Sequence, residues 1–269
     1  MKLNHILSKS STIQNKSKQI GNLKKIFLIL VWLSGALMFG TKFIDRYRTY
    51  QAADQEYKAL NQNIWNNKNK SDSPPPAFQP STPRRSLHLQ LKKINPDYLF
   101  WLAIPGTSIN YPVVRSPRPG YYLNHTFGGT ENPSGCLFIQ EDTPAPGNGN
   151  TVIFGHNMKD GTMFSDLKKY KDEEYYKNHA IFYVYDKESW HKAEIFSIQI
   201  RHESDLDCYE TEFHNQSEKQ QFIYRMEESS IHPAVFTPSV EDPFISLSSC
   251  YGKTRRIIVQ ASILCYTED

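Results

Sequence analysis

The sequence predicts a mainly β protein: a closed or nearly closed antiparallel barrel of eight strands with peripheral helices, preceded by one membrane-spanning helix and a linker. Three observations predict it. From Leu87 onward, short apolar runs alternate with turns rich in Gly, Pro and Asn. There are eight such runs, and short strands at that spacing remove their exposed edges by closing into a barrel. Ahead of them, an uncharged apolar run follows a lysine-rich head that contains no acidic residue.

That apolar run is "IFLILVWLSGALMFG" at 26–40, which "TKFI" extends to Ile44 with only Lys42 needing to snorkel. A helix crossing a bilayer core needs roughly 20 mostly apolar residues, so the run is long enough. The lysines on its N-terminal side place residues 1–25 in the cytoplasm and the remainder outside. Ser34 and Ala36 offer a weak signal-peptidase site, but cleavage there would leave an apolar stub, so the segment reads as an uncleaved anchor. Residues 43–65 hold good helix formers and neither Gly nor Pro, which predicts a polar juxtamembrane helix. Residues 66–86, rich in Pro, Ser, Asn and charge, read as a semi-extended linker that gives the following domain reach. The expected organisation is therefore a basic cytoplasmic tail (1–25), an anchor (26–44), a juxtamembrane helix with linker (45–86) and an extracellular domain (87–269).

The strands are expected at 99–104, 111–115, 135–140, 151–156, 180–186, 192–201, 243–249 and 256–264. Helical patterns interrupt them at 163–179 and at 216–229, between the sixth and seventh strands. In the second, Phe222, Ile223 and Met226 form an apolar stripe suited to packing on the barrel. Seven of the 31 Lys and Arg residues precede the first acidic residue, Asp45, so the remainder opposes 24 basic to 28 acidic residues. That balance gives no footprint for nucleic acid, which needs basic residues clustered on the folded domain.

The chemistry centres on cysteine. Cys136, Cys208, Cys250 and Cys265 are present, and an exported domain can hold disulfides, so Cys250 could be half of a bridge in a non-enzymatic module. It also ends the alternating run "FISLSS" and precedes the turn "YGKT", where a side chain can reach a cleft. A reactive thiol needs positive charge nearby, and Arg255 and Arg256 open the next strand. Strand alternation separates the two arginines, so only one faces Cys250. Among nine histidines, His156 ends the apolar strand "TVIFGH" and is placed by rigid backbone at a barrel rim. His125 is the runner-up, while His179, His202, His214 and His232 lie in contexts that fix no direction. Glu203, Asp205 and Asp207 have a spacing that could suit calcium, but carboxylates spaced along a loop are more often solvated. The reading assigns no metal and no cofactor.

"TVIFGHNMKDGTMF" together with "SLSSC" and "RRIIV" resembles the sortase family of cysteine transpeptidases, whose motifs run T-hydrophobic-hydrophobic-x-G-H and L-[ST]-[ST]-C, then R-hydrophobic-hydrophobic-V. "NPDYLFWLAIPGTSINYPVV", "GHNMKDGTMF" and the helix between the sixth and seventh strands are similar to class B in particular. The resemblance covers about residues 90–266 and implies an eight-stranded sortase-type barrel. It makes Cys250 the nucleophile, His156 the acid/base partner and Arg256 the group that orients substrate and stabilises the oxyanion, with Arg255 a competitor for that role. It places Leu123, Tyr209 and Ser248 against the sorting peptide. Ser249 stands where many relatives carry Thr, and the Cys250–Arg256 connection is short. The implied partners are secreted proteins with a C-terminal sorting signal, cleaved after Thr through a thioester, and an amine acceptor on a peptidoglycan precursor or a pilin. A pilin-polymerising enzyme and a hydrolytic cysteine peptidase with the same triad are the alternatives.

Overall fold

The computed structural model describes residues 2–65, 85–147, 149–186 and 189–264. The chain divides into two compact units, Met1–Gln51 and Ala52–Asp269. Helix α1 (Lys2–Trp65) begins in the first. Its segment Leu28–Gln62 is long and apolar enough to cross a membrane. Trp32, Leu37, Phe39 and Phe43 are each more than 70% exposed. Ser34 and Thr41 return their hydroxyls to the carbonyls of Val31 and Met38 at 2.8 and 3.0 Å, so neither leaves a donor unpaired.

The second unit opens on the last turns of α1. Ala53, Tyr57 and Leu60, spaced four and three apart, bury one helical face in the core of the barrel domain. The Tyr57 hydroxyl donates to the Gly135 carbonyl at 2.7 Å and accepts from the Phe127 amide at 3.2 Å. Glu56 Oε1 accepts from the Gly128 amide at 2.7 Å. Helix α2 (Arg85–Ile94) adds Leu87 and Leu91 to the same core. It went unforeseen because it follows the proline-rich stretch directly, although Leu87 and Leu91 have the four-residue spacing of a helix face. Of the linker expected at 66–86, residues 66–84 lie outside the described residues. Within the second unit the chain packs on the barrel core both at Ala53–Leu60 and again from α2.

The strands are β1 (Tyr98–Ala103), β2 (Asn110–Arg115), β3 (Leu137–Ile139), β4 (Asn150–Gly155), β5 (Ile181–Asp186), β6 (Ser189–His202), β7 (Phe244–Tyr251) and β8 (Arg255–Leu264). They close into a barrel in the order β1-β2-β3-β4-β7-β8-β6-β5. The barrel is mixed rather than antiparallel, since β2–β3 and β4–β7 are parallel pairs. Parallel neighbours need a long crossover, and the segments between them supply it: residues 116–136 in one case and β5, β6 and the following helix in the other. The expected helix at 163–179 is two shorter pieces, a 3₁₀ segment Phe164–Lys171 and α3 (Glu173–Asn178). They part at Asp172, whose carboxylate accepts from the Tyr175 amide at 2.7 Å and starts a new helix there.

Alternation along β7 and β8 sorts their side chains. Ile245, Leu247, Ile257, Val259 and Ala261 fill the main core. Phe244 and Ile258 point the other way, into a second cluster with Phe196, Cys208 and the stripe of α4 (Gln216–Glu228), namely Phe222, Ile223 and Met226. The helix between the sixth and seventh strands thus roofs the outer face of the sheet.

Candidate active site

The site begins with register. β4 and β7 run parallel with Gly155 beside Ser249, so the next residues, His156 and Cys250, leave the ends of adjacent strands together. Two bonds tie those ends: Ser249 Oγ donates to the Gly155 carbonyl at 2.8 Å, and Asn157 Nδ2 donates to the Cys250 carbonyl at 2.9 Å. Gly155 has to lack a side chain, because a Cβ there would lie 2.4 Å from Leu137 Cδ2 and 2.7 Å from Phe164 Cδ2. The Ser249 hydroxyl is thus used in this clamp.

Antiparallel pairing of β7 with β8 sets Cys250 directly opposite Arg256, and Tyr251 opposite Arg255. Opposed residues share a face, so Arg256 lies on the sulfur's side and Arg255 on the other. Arg256 Nη1 donates to Cys250 Sγ. The Arg255 guanidinium instead stands over the Tyr251 ring, 5.4 Å from its centroid. The thiol is half-exposed, with the guanidinium fixed beside it.

His156 Nε2 lies 2.7 Å from the Leu123 carbonyl oxygen. A carbonyl can only accept, so this nitrogen carries the proton and the ring is held in one orientation. Leu123 ends a 3₁₀ turn, Tyr121–Leu123, whose backbone passes so near Gly135 (φ 62°) that a Cβ there would sit 2.4 Å from the Tyr122 carbonyl. The Leu123 side chain is exposed. Tyr209 and Ser248 meet directly, their hydroxyl oxygens 2.7 Å apart, and the Tyr209 ring rests against Phe154 with centroids 5.7 Å apart. Ser248 is two residues before Cys250 on the same face. The structure thus pairs His156 with the Leu123 backbone, Cys250 with Arg256, and Tyr209 with Ser248, on elements at or beside the ends of β4, β7 and β8.

The rivals are engaged elsewhere. His125 stacks on Tyr121 at 4.0 Å, His179 stacks on Tyr175 at 4.0 Å, His202 bonds Ser204, and His232 bonds the carbonyls of Tyr170 and Lys171. Cys136, Cys208 and Cys250 are free thiols, so Cys250 forms no bridge with the first two, while Cys265 lies outside the described residues. Burial pushes the thiols of Cys136 and Cys208 up to about 12, which keeps them neutral and unreactive. Burial also raises the Tyr209 hydroxyl, which stays protonated and able to donate.

The acidic triplet is not simply solvated, as its spacing suggested. Arg201 is the cross-strand partner of Arg256, two like charges side by side, and the loop's carboxylates divide between them. Asp205 and Asp207 pair with Arg201, and Glu203 Oε2 lies 3.5 Å from Arg256 Nη2. Asn157 and Glu203 reach Cys250 and Arg256 through contacts made only in three dimensions, which local pattern does not reveal. Among the described residues, no group of three or more His, Cys, Asp and Glu is disposed to hold a metal.

Comparison with known proteins places the chain in a family. The Sortase domain family model matches residues 102–264. Sortase B of Listeria monocytogenes serovar 1/2a (strain ATCC BAA-679 / EGD-e) is 34% identical over 176 residues, covering 62% of this chain and 70% of the relative. Sortase B of Staphylococcus aureus (strain NCTC 8325 / PS 47) is 27% identical over 259 residues, covering 93% of this chain and 98% of the relative. The fold is similar to that of a Staphylococcus aureus sortase B–substrate complex, with a TM-score of 0.64 and 30% identity over 68% of this chain and 87% of the other.

Proposed function

The chain belongs to the sortase family and is most similar to class B, and from this we propose that it is a membrane-anchored cysteine transpeptidase joining secreted proteins to an amine of the cell wall. One observation carries the reading: pairing of β4 with β7 and of β7 with β8 sets His156, Cys250 and Arg256 at one end of three neighbouring strands.

In the proposed reaction, the Cys250 thiolate adds to the carbonyl carbon of a Thr in the sorting signal. The carbonyl electron pair moves onto oxygen, and Arg256, already beside the sulfur, donates to that oxyanion. An arginine stays cationic at any working pH and presents several donors in a fixed fork. As the intermediate collapses, the C–N bond breaks, His156, as the imidazolium that took the Cys250 thiol's proton, protonates the departing amine and becomes neutral, and a thioester to Cys250 remains. An incoming primary amine then attacks the thioester, gives a proton to His156 and expels the thiolate, forming a new amide and restoring the site. Leu123, Tyr209 and Ser248 line the groove for the peptide upstream of the scissile bond.

The N-terminal apolar helix supports placing the site at the outer membrane face with residues 1–25 in the cytoplasm, where translocating clients and wall precursors are concentrated. Product analysis tests the transfer. Given a Thr-containing sorting peptide and triglycine, the enzyme yields the ligated peptide. Products of hydrolysis alone, at every triglycine concentration, would make it a peptidase.

A further inference from the structure

We propose that Gln260 and Asn150 are positioning residues that fix the peptide-binding wall of the groove, holding the backbone on either side of Tyr209 from beneath. The inference rests on the reading of Tyr209 as a peptide contact. The sheet face under α4 and under the 3₁₀ turn Asp207–Tyr209 is not wholly apolar. Asn150 on β4, Ser246 on β7, and Gln199 and Gln260 on β6 and β8 are all at most 1% exposed. Burying an amide is unfavourable unless its hydrogen bonds are replaced, and here each replacement can be traced.

Asn150 Nδ2 donates to the Glu210 carbonyl at 2.9 Å, and Gln260 Nε2 donates to the Cys208 carbonyl at 3.3 Å. Those carbonyls belong to the residues immediately before and after Tyr209. The two amides are joined through Ser246, whose Oγ donates to Asn150 Oδ1 at 2.9 Å and accepts from Gln260 Nε2 at 3.2 Å. Gln199 Nε2 donates to Gln260 Oε1 at 2.9 Å, which settles which end of the Gln260 amide faces the turn. The Asn150 amide nitrogen adds a backbone bond to the Thr211 carbonyl at 2.9 Å.

The turn is thus mounted on β4 and β8, the two neighbours of β7, and β7 carries both Ser248 and Cys250. The Tyr209 hydroxyl meets Ser248 on that same strand. Apolar packing under the turn would let it slide, whereas directional bonds to both flanking carbonyls give Tyr209 one position relative to the sulfur. Gln260 lies four residues along β8 from Arg256, about 13 Å, and Asn150 six residues along the chain from His156, about 20 Å. Both act on the wall and not on the thiol.

The test uses the full-length protein and the Thr-containing quenched peptide that the unaltered enzyme cleaves fastest. Gln260→Met keeps the side chain's length and removes the donor. We expect KM to rise about tenfold with kcat little changed, because a binding wall displaced by a fraction of an ångström loses contacts steeply. Alkylation of Cys250 by iodoacetamide, which needs no groove, keeps its rate. Adding Gln260→Met to Tyr209→Ala gives no further rise, since the residue being positioned is gone. An unchanged KM, an additive rise in the Tyr209→Ala background, or slowed alkylation would each overturn the inference. Should Gln260→Met fail to fold, Ser246→Ala removes only the hydroxyl joining the two amides and carries the same three readouts. Tyr209→Ala with unaltered KM would instead remove the premise that this residue touches the peptide.

Discussion

At the scale of single residues, cross-strand pairing distinguishes two arginines that are neighbours in the chain. Alternation shows that Arg255 and Arg256 face opposite ways, but not which of them faces Cys250, because that depends on pairing between strands. The Cys250–Arg256 register supplies the answer. Arg256→Ala is expected to lower kcat/KM by about a hundredfold to a thousandfold, the usual consequence of losing an oxyanion donor. Arg255→Ala, which removes a cation from the Tyr251 ring on the far face, is expected to stay within about threefold in the same steady-state assay. The buried thiols yield a pH prediction. Their folded values of about 12 lie above the ordinary 9.0, so the unfolded chain releases those protons first. Stability from Cys136 and Cys208 is complete below about pH 9 and is lost as pH rises towards 12. Melting temperatures measured between pH 8 and 11 should fall less steeply in Cys136→Ala than in the unaltered protein.

Among the elements, all eight strands and α4 were legible, because alternation and one-sided apolar stripes are local signals. Parallel pairing of β2–β3 and β4–β7 was not, since nothing within a strand reports the direction of its neighbour. Helix α2 hid behind proline-rich sequence, and the docking of α1 was hidden because Tyr57 finds its partners 70 and 78 residues away in the chain. That docking makes a specific expectation. Tyr57→Phe keeps the ring against Tyr111 but leaves the Gly135 carbonyl and the Phe127 amide short of a buried partner. It should cost about 1–3 kcal/mol, seen as a lower urea midpoint of the barrel transition with an unchanged slope. The Glu203–Arg256 pair, at 3.5 Å and 45%/33% exposed, should contribute no more than about 1 kcal/mol to that midpoint.

For the molecule as a whole, the His, Cys and Arg motifs were legible far in advance of the geometry joining them. The assembly was not, because the strand ends that carry residues 156, 250 and 256 become neighbours only through a barrel whose strand order departs from chain order between β4 and β7. Ala53, Tyr57 and Leu60 pack into the core of the barrel domain ahead of residues 66–84. Replacing residues 68–82 with a Gly/Ser stretch of equal length should therefore leave peptide cleavage and its KM unaltered, as checked by steady-state kinetics on membranes.

The central claim is that Cys250 accepts the acyl group under the direction of His156 and Arg256, and intact-mass spectrometry of the enzyme mixed with a Thr-containing sorting peptide tests it most directly. The expected result is an adduct with the mass of the peptide through Thr, mapped by digestion to Cys250, discharged by triglycine and absent from Cys250→Ala. An adduct on another residue, or one that persists in Cys250→Ala, would contradict it.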